Sequence, residues 1–128
     1  MHESDRITEI GLRRTACRGE CPVYQVVIRQ DGSFDYIGEQ YVERLGEHTG
    51  RLSRQAFDKL AKAIKEAGFM DLEESYAVPL TCQATVYTTV VINGVKKTVS
   101  NYGSGGPAVL QEIEEIIDKL VLEADWDE

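Results

Sequence analysis

The chain has 128 residues, 42% hydrophobic and 28% charged, a balance that fits one folded domain and excludes a disordered chain. Its 22 acids against 14 bases give a formal net charge of −8, which repels phosphate backbones and argues against nucleic acid as a partner. No apolar run approaches the ~20 residues needed to cross a bilayer, so no membrane partner is expected; the polar start MHESDRITEI lacks the apolar core of a signal peptide. A cytoplasmic location is expected for the chain as written, and a secreted one if it is a mature fragment.

In chain order, Ile7 to Arg14 alternates weakly and reads as a strand. Pro22 to Gln30 alternates clearly, with Tyr24, Val26 and Ile28 on the buried side. Asp31-Gly32 is a hairpin turn because glycine accepts positive φ freely. Phe34 and Tyr36 continue on a third strand, and Tyr41 to Leu45 is expected to form a fourth. Ser53 is a good N-cap, its hydroxyl placed to accept a free backbone N–H. Leu52 and Phe57 stand at the positions of a hydrophobic staple. Phe57, Leu60, Ala61 and Ile64 make one helical stripe that Gly68 can terminate, and Phe69 to Tyr76 reads as irregular.

Thr85 to Ile92 is rich in β-branched residues, Asn93-Gly94 is the strongest hairpin signal in the chain, and Val95 to Asn101 returns as a strand with Val99 inward. GSGGP then leads into a helix, with Gly106 as its cap, Pro107 in its first turn, and Val109, Ile113, Ile116, Ile117 and Leu120 on its apolar face. The acidic tail EADWDE is expected to fray, with Trp126 free to dock back. The order β-β-β-β-α-β-β-α predicts a single α+β domain over residues 1–128, core about 7–122: an antiparallel sheet of five or six strands with two helices on one face.

Three cysteines are present: Cys17 and Cys21, four apart in RRTACRGECPVY, and Cys82. A local disulfide is one reading, since Gly19 permits the tight turn that brings residues four apart within bridging range. A metal site is a second, with Cys82 and either His48 or His2 completing the set, but the usual second compact ligand pair is missing and no metal or other cofactor is expected. A reactive thiol is a third, favoured by Arg14 and Arg18 and opposed by Glu20. The spacing is not the C-x-x-C of thioredoxin-type proteins, and the plain alternative is three reduced structural cysteines.

Other features have ordinary explanations. NYGSGGP, residues 101–107, matches no phosphate-loop pattern and reads as a helix cap. DLEESY, residues 71–76, reads as a solvated loop, and His48 as an exposed surface residue. Six tyrosines, with Val23, Val27, Tyr87, Thr89 and Val91 expected on the uncovered sheet face, suggest a sticky surface for a protein or small ligand, or for a homodimer.

Arg14, Cys17, Gly19, Cys21, Pro22 and Tyr24 together spell R-x-x-C-x-G-x-C-P-x-Y. This signature resembles that of a bacterial family, the domain of unknown function numbered 6438. The resemblance continues through DGSFDYIG, Tyr76, Lys97, Val99, the Gly-Pro before the last helix and IEEIIDKL, from about Ile7 to Leu122. It implies a compact α+β domain and no particular activity. It also implies an Asp, suited to pairing with Arg14, where this chain has Cys82. The reading that follows is a non-catalytic binding or interaction module. It would use the open sheet face or a loop site of Arg14, Cys17, Gly19, Cys21, Tyr24 and Cys82. A thiol-based redox protein or sensor using the three cysteines is the alternative.

Overall fold

The computed structural model describes residues 5–127; His2, one of the residues considered as a metal ligand, lies outside them. β1 (Ile7–Arg14) pairs antiparallel with β2 (Val23–Arg29) and, on its other edge, with β6 (Thr85–Ile92). From β2 the sheet grows through β3 (Ser33–Gln40) to β4 (Gly46–Arg51) and then β8 (Asp125–Trp126). From β6 it grows through β7 (Val95–Tyr102) to β5 (Ser75–Ala77), which pairs parallel with β7, unlike the other strand pairs among the described residues. Among the described residues the sheet has eight strands, in the order β5-β7-β6-β1-β2-β3-β4-β8. The two tight turns form as expected: Gly32 sits at φ +90°, and Asn93 and Gly94 at +51° and +80°, the double positive φ of a type I′ hairpin.

α1 (Arg54–Glu66) begins where Ser53 Oγ accepts the Ala56 N–H at 3.0 Å, with Leu52 and Phe57 both buried as a staple, and stops at Gly68 with φ +66°. α2 (Ala108–Leu122) lies beside it. One hydrophobic core joins Phe57, Leu60 and Ile64 of α1 and Leu110, Ile113 and Ile117 of α2 to Ile10, Val26, Ile28, Phe34, Val90 and Val99 of the sheet. Burying such side chains stabilises the fold by roughly 1.5–3 kcal/mol each before entropy is counted.

The structure revises five expectations. The sheet has eight strands, not five or six, because Ser75–Ala77 and Asp125–Trp126 both add short edge strands. Residues 41–45 are a bend rather than a strand, and β4 comes after them: the chain turns at Tyr41, φ +52°, and rejoins β3 only from Gly46. The tail does not fray through Asp127, the last described residue: Trp126 docks back, pairing with Gly50, and the Asp127 N–H donates to Thr49 O at 2.9 Å, while Glu128 lies outside the described residues. Pro107 rather than Gly106 is the N-cap of α2, and its buried stripe is Leu110, Ile113, Glu114, Ile117 and Val121, leaving Val109 exposed. Finally, the β2–β3 register slips between Val23 and Tyr24, and both are buried, so Val23 does not belong to the open sheet surface.

Candidate functional site

Arg14 ends β1 and Tyr24 opens the regular part of β2, and the register places them side by side. Asp118 comes from the third turn of α2 and meets both. Its two carboxylate oxygens accept Arg14 Nε at 3.0 Å and Nη2 at 2.5 Å, a bidentate pair, and Oδ1 also accepts the Tyr24 hydroxyl. Burial alone would disfavour the Arg14 charge, but the hydrogen bond and charge of Asp118 outweigh it and hold the guanidinium above its ordinary pKa. Tyr24 is held well above the usual phenol range, first by burial, then by the Asp118 charge. The carboxylate that pairs with Arg14 is therefore supplied by α2 and not from the region of Cys82.

Beside this trio lies a cleft of about 590 Å³ between the end of α2 and the β2–β3 end of the sheet. Its floor is aromatic: Tyr24 stacks on Tyr36 at 5.5 Å, and Trp126 meets Tyr36 edge-on at 4.9 Å and Phe34 at 5.0 Å. Its far wall is the bend of residues 41–45, which contributes Val42, Glu43 and Arg44. Gly38 allows that bend to close down, because a Cβ there would sit 1.9 Å from Arg44 O and 2.9 Å from Val42 Cγ2. The Tyr36 hydroxyl then donates to Arg44 O at 3.0 Å and fixes the bend over the sheet. The Arg44 guanidinium lies on the face of Trp126, 4.4 Å from the ring centre. His48 is half-buried beside Tyr36 and Trp126 rather than exposed, its Nε2 2.8 Å from Leu45 O.

One turn before Asp118 on α2, Glu114 is buried and accepts Asn101 Nδ2 at 2.9 Å, while Asn101 Oδ1 accepts the Gly106 N–H at 2.9 Å. Burial raises the Glu114 pKa above 4.5, against the opposing effects of Asn101 and Arg14. A carboxyl whose folded pKa is raised contributes its full stability while protonated, below the unfolded pKa, and loses it as pH rises through the folded value. Glu114→Gln keeps an acceptor for Asn101 and removes the buried charge. It should raise Tm at pH 7, with the gain vanishing in acid below the ordinary carboxylate range. A lower Tm at pH 7 would mean that the Arg14–Glu114 attraction dominates instead.

Cys17 and Cys21 are joined by a disulfide with Cα atoms 5.7 Å apart, across the turn that links β1 to β2. Closing so short a loop contributes roughly 2 kcal/mol at most, so its main effect is on local shape. Cys82 is a free, exposed thiol at φ +62°. The Arg18 N–H donates to Cys82 O at 3.2 Å, and Cys17, Gly19, Cys21 and Cys82 line one cavity of about 350 Å³. Arg14 lines this cavity as well as the aromatic cleft, so of the six sequence-chosen residues it alone touches both. Among the described residues no group of three or more His, Cys, Asp or Glu is placed to hold a metal ion.

The other motifs take structural roles. The glycines of residues 101–107 serve close packing: a Cβ at Gly105 would lie 2.7 Å from Ala77 C and one at Gly103 2.4 Å from Val78 Cγ2. In residues 71–76, the Glu73 N–H donates to the Tyr76 hydroxyl and Glu74 O accepts the Ser100 N–H, both at 2.9 Å. On the uncovered sheet face, polar groups break up the apolar surface: Arg13 lies over Tyr87 at 5.2 Å and Thr89 bonds Thr98 at 2.8 Å.

The class defined by these features is an α+β domain whose two helices share one core with an eight-stranded sheet, among the described residues, and which carries a disulfide-stapled turn beside a part-buried Arg-Asp-Tyr trio. The chain belongs to the family described as Domain of unknown function (DUF6438), whose model matches residues 8–121. That span holds Arg14, both bridged cysteines, Tyr24 and Asp118, whereas Trp126 lies beyond it. A comparison with curated proteins found no match. Among the described residues no helix is long and apolar enough to cross a membrane.

Sequence alone does not place Trp126, Tyr36, Arg44 or Asp118 in the site. A signal existed only for Trp126, the single tryptophan of the chain, which had no polar reason to stand in an acidic tail.

Proposed function

We propose that the protein is a non-catalytic binding module whose ligand lies in the cleft over Tyr24, Tyr36 and Trp126. The observation that carries this reading is the convergence there of a rigid aromatic floor with a few fixed polar groups, the usual composition of a ligand site. Asp118 pairs with Arg14 and also accepts the Tyr24 hydroxyl, which anchors one side of the floor. A larger cavity of about 920 Å³, between the start of β1 and α1, is a weaker candidate. Its rim is largely charged, and two of its cations are already engaged: Arg29 with Asp35 at 2.8 Å and Lys65 with Asp5 O. The open sheet face, for a protein partner or a second copy, is likewise weaker because of its polar interruptions.

Trp126 offers a direct test, being the sole tryptophan and part of the cleft. Titration with a chemically varied set of small organic cations, anions, neutral aromatics and short peptides should change its emission saturably for at least one class. No saturable change with any class would contradict the reading.

A second reading, a thiol-based sensor, is supported by the cavity that Cys82 shares with the disulfide. A Cys82 thiolate attacking Cys17 Sγ would form the Cys82–Cys17 bond, break the Cys17–Cys21 bond and release Cys21 as a thiolate, with no outside oxidant. Native protein held near pH 8, quenched in acid, alkylated and digested should then yield some Cys17–Cys82 peptide. Recovery of the Cys17–Cys21 bridge alone would remove this reading.

A further inference from the structure

The guanidinium of Arg44 and its surroundings point to the chemical class of the cleft's ligand. Arg44 stacks on Trp126 at 4.4 Å, a position where the ring face attracts a cation. Among the described residues it makes no ion pair within 4.0 Å, so the aromatic ring is the contact that holds its head group. The charges lining the cleft are Arg14, Arg44, Glu43, Glu115 and Asp118. Arg14 and Asp118 neutralise one another through two hydrogen bonds. What remains is Glu43 and Glu115 against Arg44 alone, so withdrawing Arg44 leaves an aromatic face flanked by two carboxylates. That combination suits a planar organic cation, and the chain's net charge of −8 adds a long-range field of the same sense.

Arg44 is also mounted so that it can leave. It sits on a bend that follows a positive-φ residue, Tyr41, and that is attached to the sheet through its backbone, where the Tyr36 hydroxyl donates to Arg44 O at 3.0 Å. That bond does not involve the side chain, so the guanidinium can swing off Trp126 while the bend stays in place.

We propose that the cleft is a recognition site for an arginine side chain of a partner polypeptide, and that Arg44 occupies it in cis until the partner's guanidinium displaces it. The proposal rests on the cleft being the ligand site. A tethered side chain competes at an effective concentration in the millimolar range, which lowers the apparent affinity for an outside arginine by the fraction of time the cleft is filled.

The experiment is a Trp126 fluorescence titration with N-acetylarginine amide, and with N-acetylnorleucine amide as a neutral probe of similar length. It would be run on the full chain and on Arg44→Gln and Glu115→Gln variants. The arginine probe should bind in preference to the neutral one, about three- to ten-fold more tightly in Arg44→Gln than in the parent and more weakly in Glu115→Gln. Arg44 is half-exposed and has no ion pair among the described residues, so Arg44→Gln is not expected to disturb folding, and an unchanged far-ultraviolet spectrum checks this. Equal response to both probes, or an arginine affinity that Arg44→Gln leaves unchanged, would overturn the proposal. If anions or neutral aromatics alter Trp126 emission while the arginine probe does not, the arginine assignment falls and the cleft reading stands. If nothing alters it, both fall.

Discussion

Asp118→Ala should lower stability by about 2–3 kcal/mol in urea unfolding. One carboxylate accepts three hydrogen bonds, two from Arg14 and one from Tyr24. Its loss strands a guanidinium whose side chain is 18% exposed and a tyrosine that is 7% exposed. Breaking a fully buried pair costs about 3–5 kcal/mol and breaking a surface pair at most about 1. The Asp118 side chain is 36% exposed, so water can partly replace it, which places the cost between those limits. Arg14→Met should cost less, because the abandoned Asp118 can hydrate, and the double variant should cost less than the sum of the two. Tyr24 gives an independent reading. With the neighbouring negative charge gone, its phenol should ionise at lower pH than in the parent, visible as phenolate absorbance in an alkaline titration. A loss below about 0.5 kcal/mol would make the trio an ordinary solvated pair.

Gly50→Ala should be of similar size and should act on the cleft floor. A Cβ at Gly50 would lie 2.5 Å from Phe34 Cζ and 2.7 Å from Asp125 O. Phe34 is fully buried and cannot retreat, so β8 must lift away. Overpacking of this kind costs about 1–3 kcal/mol, and loss of the Trp126 contacts with Phe34 and Tyr36 adds to it. Trp126 emission should shift to the red as the ring becomes hydrated. Unchanged emission with stability within about 0.5 kcal/mol of the parent would show that β8 does not depend on the missing side chain.

The parts of the fold that were readable are those where local chemistry and tertiary role agree. The Asp31-Gly32 and Asn93-Gly94 turns, the Ser53 cap, the α1 stripe and the alternation of Tyr24, Val26 and Ile28 all carry their structural reason within a few residues. β4 is not legible in the sequence because Gly46–Arg51 buries only Gly50 and so has almost no apolar pattern, whereas Tyr41, Val42 and Leu45 imitate one. Their segment is held as a bend by the space above Gly38, a fact about packing that periodicity does not encode. The helix stripe drifted because Glu114, an acid, occupies a buried position on it. The candidate site was half-readable for the same reason. Arg14, Tyr24 and the cysteine pair stand together in one short stretch, but Asp118 reads as a solvated acid on a helix until the fold brings it across 104 residues of chain to Arg14. The neighbourhood of Cys82 and the disulfide likewise depends on a loop contact, Arg18 N–H to Cys82 O, with no sequence signal.

Ligand is proposed to sit in the aromatic cleft rather than on the open face of the sheet or at the cysteines. Backbone amide chemical-shift mapping of the labelled protein, titrated with whichever probe alters Trp126 emission, tests it most directly. Shifts should concentrate at Tyr24, Tyr36, residues 42–44, Asp118 and Trp126, with Arg13, Val27, Tyr87 and Cys82 unmoved. Shifts centred on those last four residues, with the cleft silent, would contradict it.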